Sequence, residues 1–65
     1  MKINIEKIKS VMESRGMNAT ELAFRSGKTE TWIYHVLRGK GGRSFATVEA
    51  IAKALEMNPT ELVVD

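Results

Sequence analysis

The sequence predicts an all-α domain, a compact bundle of five short helices around one small core. Apolar residues recur at helical spacing through most of the chain, and no stretch alternates between apolar and polar residues over the length of a strand. Residues that cap helices precede these apolar stretches, and glycines follow three of them. With 65 residues and no visible repeat, the chain has room for a single domain, residues 1–65.

The first helix is predicted over residues 4–15, because apolar residues recur three and four positions apart there and a glycine follows. The second helix begins after Asn18, whose side chain can accept a hydrogen bond from a free amide of the first turn. Glu21, three residues later, can reach back and complete a capping box. This helix is short because Gly27 favours the left-handed backbone that ends helices.

The third helix follows almost immediately. Thr29 is its predicted N-cap, and the helix runs from about Glu30 to Leu37 or Arg38 before Gly39 ends it. Its predicted buried stripe consists of Ile33, Val36 and Leu37.

The last two helices lie beyond the turn "GKGG". Ser44 is the predicted cap of a fourth helix that reaches about Leu55. Its predicted apolar face consists of Phe45, Val48, Ile51, Ala52 and Leu55. A short fifth helix is predicted after Asn58, because Pro59 suits the first helical position and Glu61 can complete a capping box.

The charges are unevenly distributed along the chain. The formal net charge is only +2. Residues 25–43 nevertheless carry five basic groups and one acidic group, whereas residues 44–65 carry one basic group and four acidic groups. This distribution indicates a dipolar molecule with one cationic face, which is either a solvated surface or a surface for an anionic partner.

Composition also bounds the function. The chain has no cysteine and one histidine, and no carboxylate pair is placed for acid–base chemistry. We therefore expect neither an enzyme nor a metal or cofactor site. No apolar run approaches the roughly 18 residues of a membrane span, and the start "MKINIEKIKS" is too charged for a signal peptide. We expect a cytoplasmic protein with no membrane partner.

The second and third helices, joined by a tight turn at Gly27, have the arrangement of a helix-turn-helix. The third helix then projects from the body, with Glu30, Thr31, Tyr34, His35 and Arg38 facing outward. A helix of this kind fits the major groove of B-DNA, where base edges present a readable pattern of donors and acceptors.

The stretch "NATELAFRSGKTETWIYHVLRGK" resembles the helix-turn-helix of the lambdoid phage repressor and Cro family, also called the XRE family. The matching residues are Leu22, Ala23, Gly27, Ile33, Val36 and Gly39. The stretch "SFATVEAIAKALEMNPTELV" resembles the fourth and fifth helices of that family, so the likeness covers residues 5–63. The chain departs from the family's usual residues at Ala19, Ser26, Lys28 and Leu37.

The resemblance implies a sequence-specific transcriptional regulator of the repressor or Cro type that binds double-stranded operator DNA. By position, it implies base contacts from Glu30, Thr31, Tyr34 and His35, with Tyr34 close to either the backbone or a base. It places Arg38, Lys40 and Arg43 on phosphates, and Thr29 offers a further phosphate contact at the start of the third helix. Trp32 is expected to pack between helices.

The sequence leaves open both the class of partner and the dimer contact. The same scaffold could serve as a protein-interaction module, such as an antitoxin-like subunit, although such a module would not need the cations beside the third helix. A regulator of this size is expected to act as a homodimer on a pseudo-palindromic operator. Its candidate dimer contact is Leu62, Val63 and Val64, unless these residues pack on their own core.

Overall fold

The computed structural model of the chain describes residues 2–39 and 45–64. In chain order, the elements are β1 (Lys2–Ile3), α1 (Ile5–Ser14), α2 (Ala19–Ser26), α3 (Glu30–Leu37), α4 (Phe45–Ala54), a 3₁₀ helix (Pro59–Leu62) and β2 (Val63–Val64). The four α-helices begin and end close to the predicted positions. The predicted cap at Ser44 lies outside the described residues.

The core is built from the apolar stripes of all four α-helices. Helix α2 packs against both α3 and α4, and the 3₁₀ helix closes the core beside α4 and α1. The largest fully buried side chains are Ile8, Leu22, Ile33, Val36, Val48, Ile51, Leu55 and Leu62. These stripes confirm the predicted apolar faces except at Leu37, which is half-buried against the core, and at Phe45. Phe45 is 46% exposed, because it is the first residue of α4 and lies two residues before Thr47, where the buried part of that helix begins.

The predicted all-α bundle of five helices differs from the structure at the fifth helix and in a small two-stranded sheet. The fifth element is a single 3₁₀ turn, although the predicted capping box is present and the Glu61 carboxylate accepts from the Asn58 amide at 3.0 Å. The next residues form β2, which pairs antiparallel with β1, so that Ile3 lies opposite Val63. No strand was predicted because each strand has only two residues, which is too short to show alternation.

The start of α2 is only partly as predicted. Asn18 caps the helix, since its side-chain oxygen accepts from the Glu21 amide at 2.9 Å. The Glu21 carboxylate, however, pairs with Arg25 one turn later, with an Nη2 to Oε2 distance of 3.0 Å. An i,i+4 ion pair competes for the same carboxylate, so the expected capping box with Asn18 is replaced by a helix-surface contact.

Candidate nucleic-acid interface

The turn between α2 and α3 is held by two backbone hydrogen bonds. Gly27 is left-handed, with φ of 73°. Its N–H donates to the Phe24 carbonyl at 3.3 Å, and the Lys28 N–H donates to the Ala23 carbonyl at 3.0 Å. This pair of bonds is the Schellman arrangement, which satisfies the last carbonyls of α2 and turns the chain sharply. The two bonds therefore fix the turn that the predicted helix-turn-helix requires between its helices.

Helix α3 starts two residues after that turn. Thr29 has extended backbone, and its hydroxyl oxygen accepts from the Trp32 amide at 3.1 Å, which confirms the predicted N-cap. Ala23 of α2 is only 4% exposed, and Ile33 of α3 is fully buried. Small and branched apolar residues thus fill the contact below the turn and fix the angle at which α3 leaves the body.

Helix α3 has two sharply different faces. Ile33 and Val36 are buried, and the half-buried Trp32 and Leu37 pack against the core along the edges. The exposed residues of this helix and its C-cap are Glu30, Thr31, Tyr34, His35 and Arg38. The predicted outward face is therefore confirmed. The four candidate base-contacting residues lie together on it, and their contacts with DNA stay predictions.

The candidate phosphate-contacting residues lie at both ends of this face. Thr29 and Arg38 are exposed and flank α3, one as its N-cap and the other as its C-cap. Gly39, with φ of 79°, then ends the helix. Lys40 and Arg43 lie outside the described residues, so the structure places only part of this set.

Comparison with protein-family models gives a match over residues 7–65 to the Cro/C1-type helix-turn-helix DNA-binding domain. The chain belongs to this family. The match spans the turn, α3 and the whole core, which agrees with the resemblance seen in the sequence. No match was found among curated proteins or among solved structures.

The electrostatics of this Cro/C1-type domain favour an anionic partner at α3. In residues 2–39 and 45–64, Arg25 is the only cation in an ion pair, with Glu21. Lys28 and Arg38 lie exposed on either side of the outward face, against the single carboxylate of Glu30. Unpaired cations at both ends of a polar helix face attract a polyanion such as DNA.

Two features of the domain were not predicted. Phe24 is 86% exposed on α2, although an aromatic residue beside Leu22 and Ala23 suggests apolar packing. The helical period could have shown that Phe24 points away from both. The Lys28 ammonium lies 5.4 Å from the centroid of the Trp32 ring. The spacing of four residues is the only sequence signal for that contact.

The residues expected to form the dimer contact differ in accessibility. Leu62 is fully buried in the core of its own domain, and Val63 is half-buried against that core. Val64 is 44% exposed. Leu62 therefore has no surface left for a partner, and a contact at this end of the Cro/C1-type domain would depend on β2, above all on Val64.

Within the described ranges, no cluster of three or more His, Cys, Asp or Glu side chains is arranged to hold a metal ion. No helix in the same part of the chain is both long enough and apolar enough to cross a membrane.

Proposed function

We propose that this protein is a sequence-specific transcriptional regulator that inserts α3 into the major groove of operator DNA. The observation that carries the proposal is the exposed polar face of α3, mounted on a helix-turn-helix in a chain of the Cro/C1-type family. A helix with its side chains is about 10–12 Å across, and the major groove is about 12 Å wide. Such a regulator would act in the cytoplasm by occupying the operator and blocking or assisting polymerase.

The exposed face supplies the chemistry for reading base edges. The Glu30 carboxylate can accept from a cytosine amino group, and the Thr31 side chain can contact a base or a thymine methyl group. An N–H of the His35 ring can donate to guanine, and Tyr34 lies close enough on the helix to contact a base or the backbone. These four residues share one exposed face, which is what direct readout requires.

Phosphate contacts would hold that face in register. We assign this role to Arg38 at the end of α3 and to Lys40 and Arg43 in the glycine-rich segment after it. Thr29 can donate its hydroxyl hydrogen to a phosphate while its oxygen still accepts from the Trp32 amide. The phosphate contacts set the orientation and the affinity of binding, and the four base-contacting residues on α3 determine the sequence preference.

Selection from random duplex DNA tests this function directly. We expect the protein to enrich one sequence and to bind it at least about 10³-fold more tightly than a scrambled duplex of equal length. The affinity should fall with salt, with a slope of about −3 or steeper per bound domain in a plot of log affinity against log salt, since Arg38, Lys40 and Arg43 each displace counterions. A protein that shows no salt-dependent binding to any duplex would instead be a protein-interaction module on this scaffold.

We propose further that the regulator is a homodimer on a pseudo-palindromic operator. A single α3 with so few contacts binds weakly, and two-fold dimers place their two recognition helices one turn of DNA apart, about 34 Å. The domain measures 27 Å along its longest axis, so two copies side by side suit that spacing. Strand β2 offers the exposed Val64 and an edge of the small sheet for the contact between copies.

Val64→Asp should shift the protein from dimer toward monomer in sedimentation and weaken operator binding. The new carboxylate would be buried without a partner at the contact, whereas a monomer leaves it in water. Val64 is preferred to Val63 for this test because Val63 also packs on the domain's own core.

Ser10→Asp is the matched control, because it adds the same charge on an exposed position of α1. It should stay dimeric. A dimer that survives Val64→Asp and dissociates with Ser10→Asp would place the interface on α1.

A further inference from the structure

We infer that Trp32 is a positioning residue that holds the Lys28 ammonium beside the exposed face of α3 for contact with a DNA phosphate. The inference rests on the proposed function and adds two residues to the interface. Lys28 stands just before the N-cap of α3, and Trp32 is in the first turn of that helix. The ammonium lies 5.4 Å from the centroid of the indole ring, within the range of a cation–π contact.

The backbone of Lys28 is fixed by the turn. Its N–H donates to the Ala23 carbonyl at 3.0 Å, directly after the left-handed Gly27. The side chain is then held at its other end by the indole ring. A lysine anchored only by its backbone loses much rotamer freedom when it binds an anion. Because the ring already restricts Lys28 in the free protein, less of that freedom remains to be lost on binding DNA.

The ring itself belongs to a rigid part of the domain. Trp32 is half-buried and packs against the core, and its amide donates to the Thr29 hydroxyl at 3.1 Å. It lies one turn before the buried Val36 and three residues before the exposed His35. Trp32 therefore stands on the boundary between the buried and exposed faces of α3, and the ammonium that it holds lies beside the face that enters the groove.

The charge of Lys28 remains available to a partner. Within residues 2–39 and 45–64, Lys28 makes no ion pair. An ammonium has three N–H donors, and a ring on one side leaves donors free on the other. With Arg38 at the opposite end of α3, Lys28 gives the helix a cation at each end. The geometry matches a strand of phosphates that passes the start of α3 as well as its end.

A double-mutant cycle in DNA binding tests the assignment. Lys28→Met keeps the aliphatic stem over the ring and removes the charge. It should weaken binding to every duplex and reduce the magnitude of the salt slope by about one. Trp32→Leu should weaken binding to every duplex by about two- to five-fold, because an unrestrained Lys28 side chain loses more rotamer freedom when it binds. Added to Lys28→Met, Trp32→Leu should have no further effect, because there is no longer a cation to position.

Leu37→Ala is the control for a merely structural role. Leu37 is also half-buried on α3 and packs against the core, but the ring that holds the Lys28 ammonium belongs to Trp32. Its loss should lower the thermal midpoint and change DNA affinity equally in the parent and in the Lys28→Met variant. All affinities are to be measured at a temperature where circular dichroism shows each variant folded. In the free protein, nuclear magnetic resonance should show ring-current shifts of the Lys28 side-chain protons that Trp32→Leu removes.

The outcomes separate this inference from the proposed function. If the parent binds DNA but Lys28→Met leaves the salt slope unchanged, the function stands and the phosphate contact is wrong. If Trp32→Leu weakens binding as much when added to Lys28→Met as it does in the parent, Trp32 acts through the scaffold or touches DNA itself, and the positioning role is wrong. A parent with no salt-dependent binding overturns both, whatever the ring-current shifts show.

Discussion

Ala23→Leu should lower the free energy of unfolding by about 1–3 kcal/mol, the usual cost of overpacking a core. Ala23 is 4% exposed on α2, the helix that packs against both α3 and α4, so three more carbon atoms have no space to enter. A domain of this size has a total stability near the lower end of about 5–15 kcal/mol. The measurement is thermal or denaturant unfolding followed by circular dichroism.

Thr20→Leu is the matched control, because it places the same side chain on an exposed position of the same helix. It should change the free energy of unfolding by no more than about 0.5 kcal/mol. Equal unfolding curves for Ala23→Leu and the parent would mean that α2 and α3 do not meet at Ala23. The helix-turn-helix geometry would then be wrong, whatever the DNA binding.

The helix ends were predictable because their signals are local. The Thr29 cap and the Asn58–Glu61 capping box each involve residues at most three positions apart, so the sequence contains the whole interaction. The left-handed end of α2 needs only the glycine at position 27. The exposed face of α3 was predictable for the same reason, since a fixed helical period decides which side chains share a face.

The remaining features depend on contacts between distant residues. Strand β1 pairs with β2 across nearly the whole chain, and nothing within two residues indicates such a pairing. Arg15, which in the sequence is only a charge near a helix end, donates from its guanidinium to the Leu55 carbonyl, 40 residues away, and ties the end of α1 to the end of α4. Glu21 had two plausible local partners, and the ion pair with Arg25 took the place of the capping box with Asn18.

The site shows the same division between local and distant determinants. The sequence placed Thr31, Tyr34 and His35 on one outward face, and the structure has them there. It could not show that Trp32 would lie under an ammonium, because that depends on the direction in which the turn at Gly27 sends the Lys28 side chain. The contact between Lys28 and Trp32 thus depends on the fold, whereas the set of residues that share the outward face follows from the helical period.

Replacing a residue that contacts bases should change the sequence preference, whereas replacing a residue that contacts phosphates should change the affinity for every duplex. Arg38→Ala should weaken binding to all duplexes about equally and reduce the magnitude of the salt slope by about one, because one fewer counterion is released. The same result is expected for Lys40→Ala and Arg43→Ala. Thr31→Ala and His35→Ala should leave the slope nearly unchanged. Each should relax the preference at one or two base pairs by about 1–3 kcal/mol, measured by titration of operators with single substitutions.

Glu30 gives the sharpest form of this prediction, because its carboxylate is the one charge on the face of α3 that repels phosphate. If Glu30 accepts from a cytosine amino group, Glu30→Gln should relax specificity at that base pair, since a carboxylate accepts more strongly than an amide. If Glu30 only adds a favourable charge at the start of the helix, the same change should tighten binding to every duplex by a similar factor. Titration against the operator and a scrambled duplex separates the two results. If Glu30→Gln, Thr31→Ala and His35→Ala all bind every duplex as the parent does, α3 does not enter the major groove.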